Sequence, residues 1–131
     1  MKKILLLAFT LLTLTACQES LEDRCVREAK EYTHKNCPAP AGENIIIDSM
    51  SFEKATHTLC YYYSLTGKID DKTIIDKASP KMQQQLLFAI KTATNMKTYK
   101  DDGYSFKYTY YSSKEKNKIL YVHTFTKNDY K

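Results

Sequence analysis

The sequence predicts an α+β domain: an N-terminal helix, then β-β-α-β-β, forming a four-stranded antiparallel sheet with its helices on one face. Three observations carry this. Tyr104, Phe106, Tyr108 and Tyr110 alternate with Ser105, Lys107, Thr109 and Tyr111, a period of two that makes one face apolar and the other mostly polar. Residues 45–53 and 58–65 are rich in β-branched and aromatic side chains and read as two more strands. Two further stretches place apolar residues at helical spacing.

The first helix is expected over residues 19–36, where Leu21, Cys25, Ala29 and Tyr32 form one narrow apolar stripe among charged neighbours. Residues 37–42 (CPAPAG) end it, because prolines lack the amide hydrogen and bias their predecessors toward extended backbone. That segment reads as a short stiff connector. Residues 54–57 (KATH) form the turn between the first two strands, without an Asn-Gly signal to fix the register.

Asp70 is expected to cap a helix opening at Asp71. Ser79-Pro80 offers a second start, a serine cap with proline at the first helical position. A short helix to about residue 78, a break, and a longer helix to about residue 96 follow, with Met82, Leu86, Ile90 and Ala93 as the buried stripe. Asp101-Asp102-Gly103 is turn chemistry. The last two strands cover residues 104–111 and 118–126, joined by a polar loop at 112–117. In this arrangement Leu59, Tyr61, Tyr63, Tyr104, Phe106, Tyr108 and Tyr110 face the helices and pack against Leu86 and Ile90. Their neighbours Tyr62, Lys107 and Tyr111 lie on the open face and are the candidates for a contact surface, since aromatic anchors dominate interface energetics.

Ahead of the domain, Met1-Lys2-Lys3 supplies a positive start and residues 4–14 (ILLLAFTLLTL) an apolar run. That run is far short of the roughly 20 residues needed to span a bilayer, and small residues follow it, so it reads as a signal peptide. Leu14-Thr15-Ala16-Cys17 resembles the lipobox of bacterial lipoproteins. The resemblance implies cleavage between Ala16 and Cys17, a diacylglyceryl thioether on Cys17 and palmitate-type acylation of the new amino terminus. Two or more chains anchor stably where one does not. Gln18, where aspartate would mark inner-membrane retention, implies the outer membrane. The expected division is 1–16 signal peptide, 17–36 lipidated N-terminus and first helix, and 37–131 the sheet domain.

The net charge is +5, falling to +3 once Lys2 and Lys3 leave with the signal peptide. Acidic residues are interspersed with the lysines through most of the chain, which excludes a nucleic-acid footprint. Eleven tyrosines, five phenylalanines and no tryptophan suit a sheet whose aromatic hydroxyls find partners or water.

A resemblance extends over residues 36–130. Asn36-Cys37-Pro38, Ile47-Asp48-Ser49, the run 58–65 (TLCYYYSL), the run 103–111 (GYSFKYTYY) and Asn128-Asp129-Tyr130 are similar in order and spacing to a family of small, exported, uncharacterised bacterial proteins. That family pairs a Tyr-x-Tyr strand before its central helix with another after it. This chain departs from it in having Cys60 and Tyr62 where polar residues are usual. The resemblance implies the fold and no substrate.

Chemistry is sparse. His34, His57 and His123 lie far apart with no metal-binding spacing, so neither a metal nor a cofactor is expected. The three glycines sit at element boundaries, leaving no phosphate loop, and both Asp-Asp pairs serve turns or caps. Once Cys17 is lipidated three cysteines remain, an odd number in an oxidising compartment. Cys25 and Cys37 are separated by most of a helix. The expected disulfide is Cys37–Cys60, with Cys25–Cys60 second. These observations point to a non-enzymatic cell-envelope lipoprotein that binds a macromolecule, its partners being the membrane through Cys17 and a protein. An inhibitor or immunity lipoprotein blocking a toxin or hydrolase is the second reading, and an envelope-acting enzyme the third.

Overall fold

A computed structural model describes residues 18–131. Cys17, and with it the expected cleavage and lipidation, lies outside the described residues. The elements are α1 (Leu21–Asn36), β1 (Ala39–Gly42), β2 (Ile45–Glu53), β3 (Thr58–Leu65), a 3-10 turn (Gly67–Ile69), α2 (Lys72–Thr92), α3 (Lys97–Asp101), β4 (Ser105–Ser112), β5 (Ile119–Phe125) and α4 (Lys127–Tyr130).

The strands form one five-stranded sheet in the order β1-β2-β3-β4-β5. This corrects the expected sheet twice. The proline connector supplies an additional strand, with Ala39 opposite Ile47 and Pro40 opposite Ile46. An edge strand tolerates proline because half of its amides face away from the sheet. The second correction is direction: β3 and β4 pair in parallel, Thr58 opposite Ser105 through Leu65 opposite Ser112. α2 carries the chain back along the sheet, so β4 starts from the same end as β3, whereas a hairpin would reverse it.

The helix between them also differs from expectation. α2 runs unbroken from Lys72 to Thr92 with Pro80 inside it. Proline cannot donate to the carbonyl four residues earlier. Ser79 Oγ donates to that Asp76 carbonyl instead, at 2.9 Å, and the turn closes without a break. The cap is Asp71, whose carboxylate accepts from the Ile74 amide at 3.1 Å. Asp70, expected there, has another task. Its carboxylate accepts from the amides of Ser113 and Lys114 at 3.0 and 2.9 Å, tying the β4–β5 loop to the start of α2.

α1 closes one side of the sheet. Thr33 Oγ1 accepts from the Met50 amide at 2.9 Å and donates to the Met50 carbonyl at 3.0 Å. β1 reaches only as far as Ile47, so Thr33 occupies edge groups of β2 that would otherwise be free to pair. At its other end α1 is held to the β2–β3 turn by Glu22 with His57 Nε2 at 2.6 Å and Asp23 with Lys54 Nζ at 2.5 Å.

The core lies between the sheet and the helices. Ile90 and Phe106 are wholly buried, and Leu59, Tyr61, Tyr104, Tyr108 and Tyr110 are nearly so. Because β3 and β4 pair in parallel register, like residues come to stand side by side. Tyr61 stacks on Tyr108 with centroids 4.8 Å apart, and Tyr63 on Tyr110 at 4.6 Å, both nearly coplanar. Desolvation pushes all four phenols above their usual range, Tyr63 to about 12, so they are neutral at any physiological pH.

A candidate binding groove between the helices

The two long helices dock at different parts of the sheet. α1 packs at β2 while α2 lies nearest β5, and the stretch of sheet between them is the tyrosine ladder. The result is a groove of two adjoining hollows between the helices, with a third hollow beyond it that α1 does not line. One, of about 360 Å³, lies between Cys25, Glu28 and Ala29 of α1 and Asn95, Met96 and Tyr99 after α2. A second of about 360 Å³ shares Tyr32, Met50, Tyr61 and Met96 with it and extends over Tyr63 and Tyr108 to Ala89 and Ala93. The third, about 320 Å³, lies further along α2, against Ile45, Leu65, Ile75, Met82, Leu86 and Tyr110, and is almost wholly apolar.

α2 and its C-cap supply small side chains to this wall. Ala78, Ala89 and Ala93 line it, and Ala89 is exposed. Alanine at these positions keeps the helix while leaving width that leucine would fill. Polar groups gather at the α1 end. The Tyr99 hydroxyl donates to Glu28, which also pairs with Arg24 at 2.8 Å. Desolvation comes first, and the Glu28 bond next, in raising the Tyr99 phenol far above its usual range.

The one nucleophile here is Cys25, and burial pushes its thiol up to about 11. A protonated thiol is a poor nucleophile. Among the described residues no three His, Cys, Asp or Glu side chains converge as a metal site would need. What the arrangement can do is receive an apolar segment: a non-polar floor and one wall of small residues, polar only at one end.

The residues expected to form a contact surface lie on the opposite side of the sheet. Cys60 stands opposite Lys107, Tyr62 opposite Thr109 and Ser64 opposite Tyr111. Tyr62 and Tyr111 stack with centroids 6.5 Å apart, and both are only half-buried. Exposed Ile119 and Val122 share this face. The expected Cys37–Cys60 bond is not formed, nor is Cys25–Cys60: all three thiols are free. Cys60 is buried on the open face, while Cys25 and Cys37 pack with the core on the helix side, so the sheet separates them. Sequence reasoning named Cys25, Tyr61 and Leu86 as core residues and missed that they also border a groove. Only Ala78 and Ala89 in α2 and Ala93 at its C-cap, at spacings of eleven and four, hinted at the open wall.

Residues 1–18 match the prokaryotic membrane lipoprotein lipid attachment site, so the chain is a lipid-anchored envelope protein whose attachment segment precedes an α+β domain. The domain's family is matched over residues 20–121: the chain belongs to the family described as domain of unknown function DUF8479. Three solved structures share the fold. A Pseudomonas aeruginosa protein described as secreted aligns with a TM-score of 0.71 at 14% identity, covering 84% of this chain and 92% of that one. The type II secretion system pilotin AspS of Vibrio cholerae aligns at 0.60 and 13% identity, over 82% and 90%. The pilotin EpsS of the Vibrio vulnificus type 2 secretion system aligns at 0.56 and 12% identity, over 84% and 91%. No curated protein matches the sequence.

Proposed function

We propose that this protein is a non-enzymatic lipoprotein of the outer membrane that holds a protein partner in the groove between α1 and α2, as a pilotin-like accessory to an envelope assembly. The observation that carries the reading is the set of apolar hollows left beside the tyrosine ladder and α2, with half-buried Tyr63 and exposed Ala89 in their lining. The two Vibrio pilotins lend the kind of assembly, a type II secretion system, as a reading of this chain. The lipid attachment site supports the envelope setting, with Cys17 as the acylated residue and Gln18 favouring the outer membrane.

A second contact surface is the open face, where the stacked Tyr62 and Tyr111 lie to one side of Lys107, near exposed Val122. One experiment separates the two. Ala89→Arg places a long cation in the groove wall, and Val122→Arg does the same on the open face. Both positions are exposed, so both variants should fold. Affinity purification from detergent-solubilised envelopes is expected to lose its partner with Ala89→Arg and keep it with Val122→Arg. The reverse pattern would move the contact to Tyr62, Lys107 and Tyr111. A partner from outside any secretion assembly would reject the pilotin comparison and leave the groove standing.

A further inference from the structure

The outer side of α2 carries a feature that the groove does not use. Phe88 is 69% exposed, the most exposed of the large hydrophobic side chains among the described residues. By helical spacing it points away from Ile90 and the sheet and shares its side with Lys77, Lys81 and Lys91. All three lysines are exposed, and none enters an ion pair among the described residues. Between Asp76 and Asp101 the chain has five lysines and no acidic residue. α1 is built differently: Arg24 pairs with Glu28, and Arg27 with Glu19 and Glu31. The positive charge is therefore local to one helix face, and an aromatic ring stands within it.

The anchor limits what that face can meet. Cys17 is four residues before Leu21, a reach of about 13 Å even when extended. α1 and α2 lie on the same side of the sheet, and the chain after α2 returns to α1 where Tyr99 donates to Glu28. The described chain that leads to the anchor therefore begins at the N-terminus of α1, in the helical layer that also holds α2.

We propose that the outer face of α2 rests on the anionic phospholipid headgroups of the bilayer that holds the lipid anchor, with Phe88 entering the interfacial layer between them. The lysines supply charge complementarity. Three of them near an anionic surface favour the docked state about a hundredfold, an advantage that falls off within a Debye length. Phe88 adds the apolar contact that distinguishes an interfacial face from a solvated one. Ala78, Ala89, Met82 and Leu86 sit about 80–160° round the helix from Phe88, so one helix serves membrane and partner on different sides. Orientation, which a flexible acyl tether cannot impose, then comes from α2.

The chain has no tryptophan, so Phe88→Trp introduces a single reporter at an exposed position. The acylated mature protein carrying it is placed in phosphatidylcholine vesicles with or without roughly 30% phosphatidylglycerol, using acyl chains brominated near the headgroup. The expected result is blue-shifted, bromine-quenched emission in the anionic vesicles, reversed by about 0.5 M salt and by Lys77→Gln with Lys81→Gln and Lys91→Gln. Val122→Trp, on the open face, should stay unquenched. Quenching at Phe88→Trp no stronger than at Val122→Trp would overturn the proposal. So would quenching that ignores phosphatidylglycerol and the lysine substitutions, because charge would then play no part.

Discussion

Asp70 shows how much one carboxylate can hold. It is 8% exposed, and it accepts from two amides of the β4–β5 loop across a gap of more than forty residues in sequence. The Ser112 hydroxyl first, and then the amides of Lys114 and Ser113, hold its carboxyl below the usual range. A carboxyl lowered on folding stabilises the protein above its unfolded value, near pH 4, and that stability is lost as pH falls through the lower folded value. Asp70→Asn should therefore lower Tm at neutral pH, and its Tm should fall less steeply than the wild type's below about pH 4. Thermal melts across that range check it; parallel acid limbs would mean that Asp70 contributes nothing through its charge. The adjacent Asp70 and Asp71 were legible as cap material, but not which of them caps. That depends on a loop folding back from residue 113, which no local pattern encodes.

At the scale of elements, α1 is more than a lid on the core, because Thr33 replaces a neighbouring strand at Met50. Thr33→Val keeps the shape and removes both bonds, leaving half-buried backbone groups without partners, at a cost of about 1–3 kcal/mol. Thr33→Ser should recover most of that, and denaturant midpoints for the three proteins decide it. If valine is neutral, water serves the β2 edge as well as threonine does. The alternating residues of β4 were readable because a half-buried strand writes its pattern in one short segment. The direction of β3 relative to β4 was not, since it follows from where a 21-residue helix delivers the chain. β1 was hidden by its own prolines, which mark a break in sequence yet fit a sheet edge. The unbroken α2 was hidden in the same way by Pro80, whose missing bond Ser79 makes good.

For the whole molecule, the sheet acts as a partition between chemical environments. Cys25 and Cys37 lie on one side and Cys60 on the other, which overrides the arithmetic that made a disulfide attractive. The mature protein should release three thiols to a chromogenic disulfide in denaturant. In the folded state Cys25, 1% exposed and raised to about 11, should react far more slowly than Cys37. Fewer than three thiols in denatured protein purified from the envelope would show that oxidation finds a conformation other than this one. The groove was the least legible feature of all. Its lining comes from α1, β2, β3, β4 and α2, and its existence depends on how far apart the two helices dock, a distance that no single stretch of sequence records.

The tyrosine ladder has an optical consequence. Rings stacked nearly coplanar at 4.6 and 4.8 Å couple their electronic transitions, and without tryptophan nothing else dominates the near-ultraviolet spectrum. The natural protein should therefore show strong tyrosine circular dichroism from the floor of its groove. A segment settling onto Tyr63 and Tyr108 would perturb that signal directly, so occupancy of the groove can be followed with light and no label.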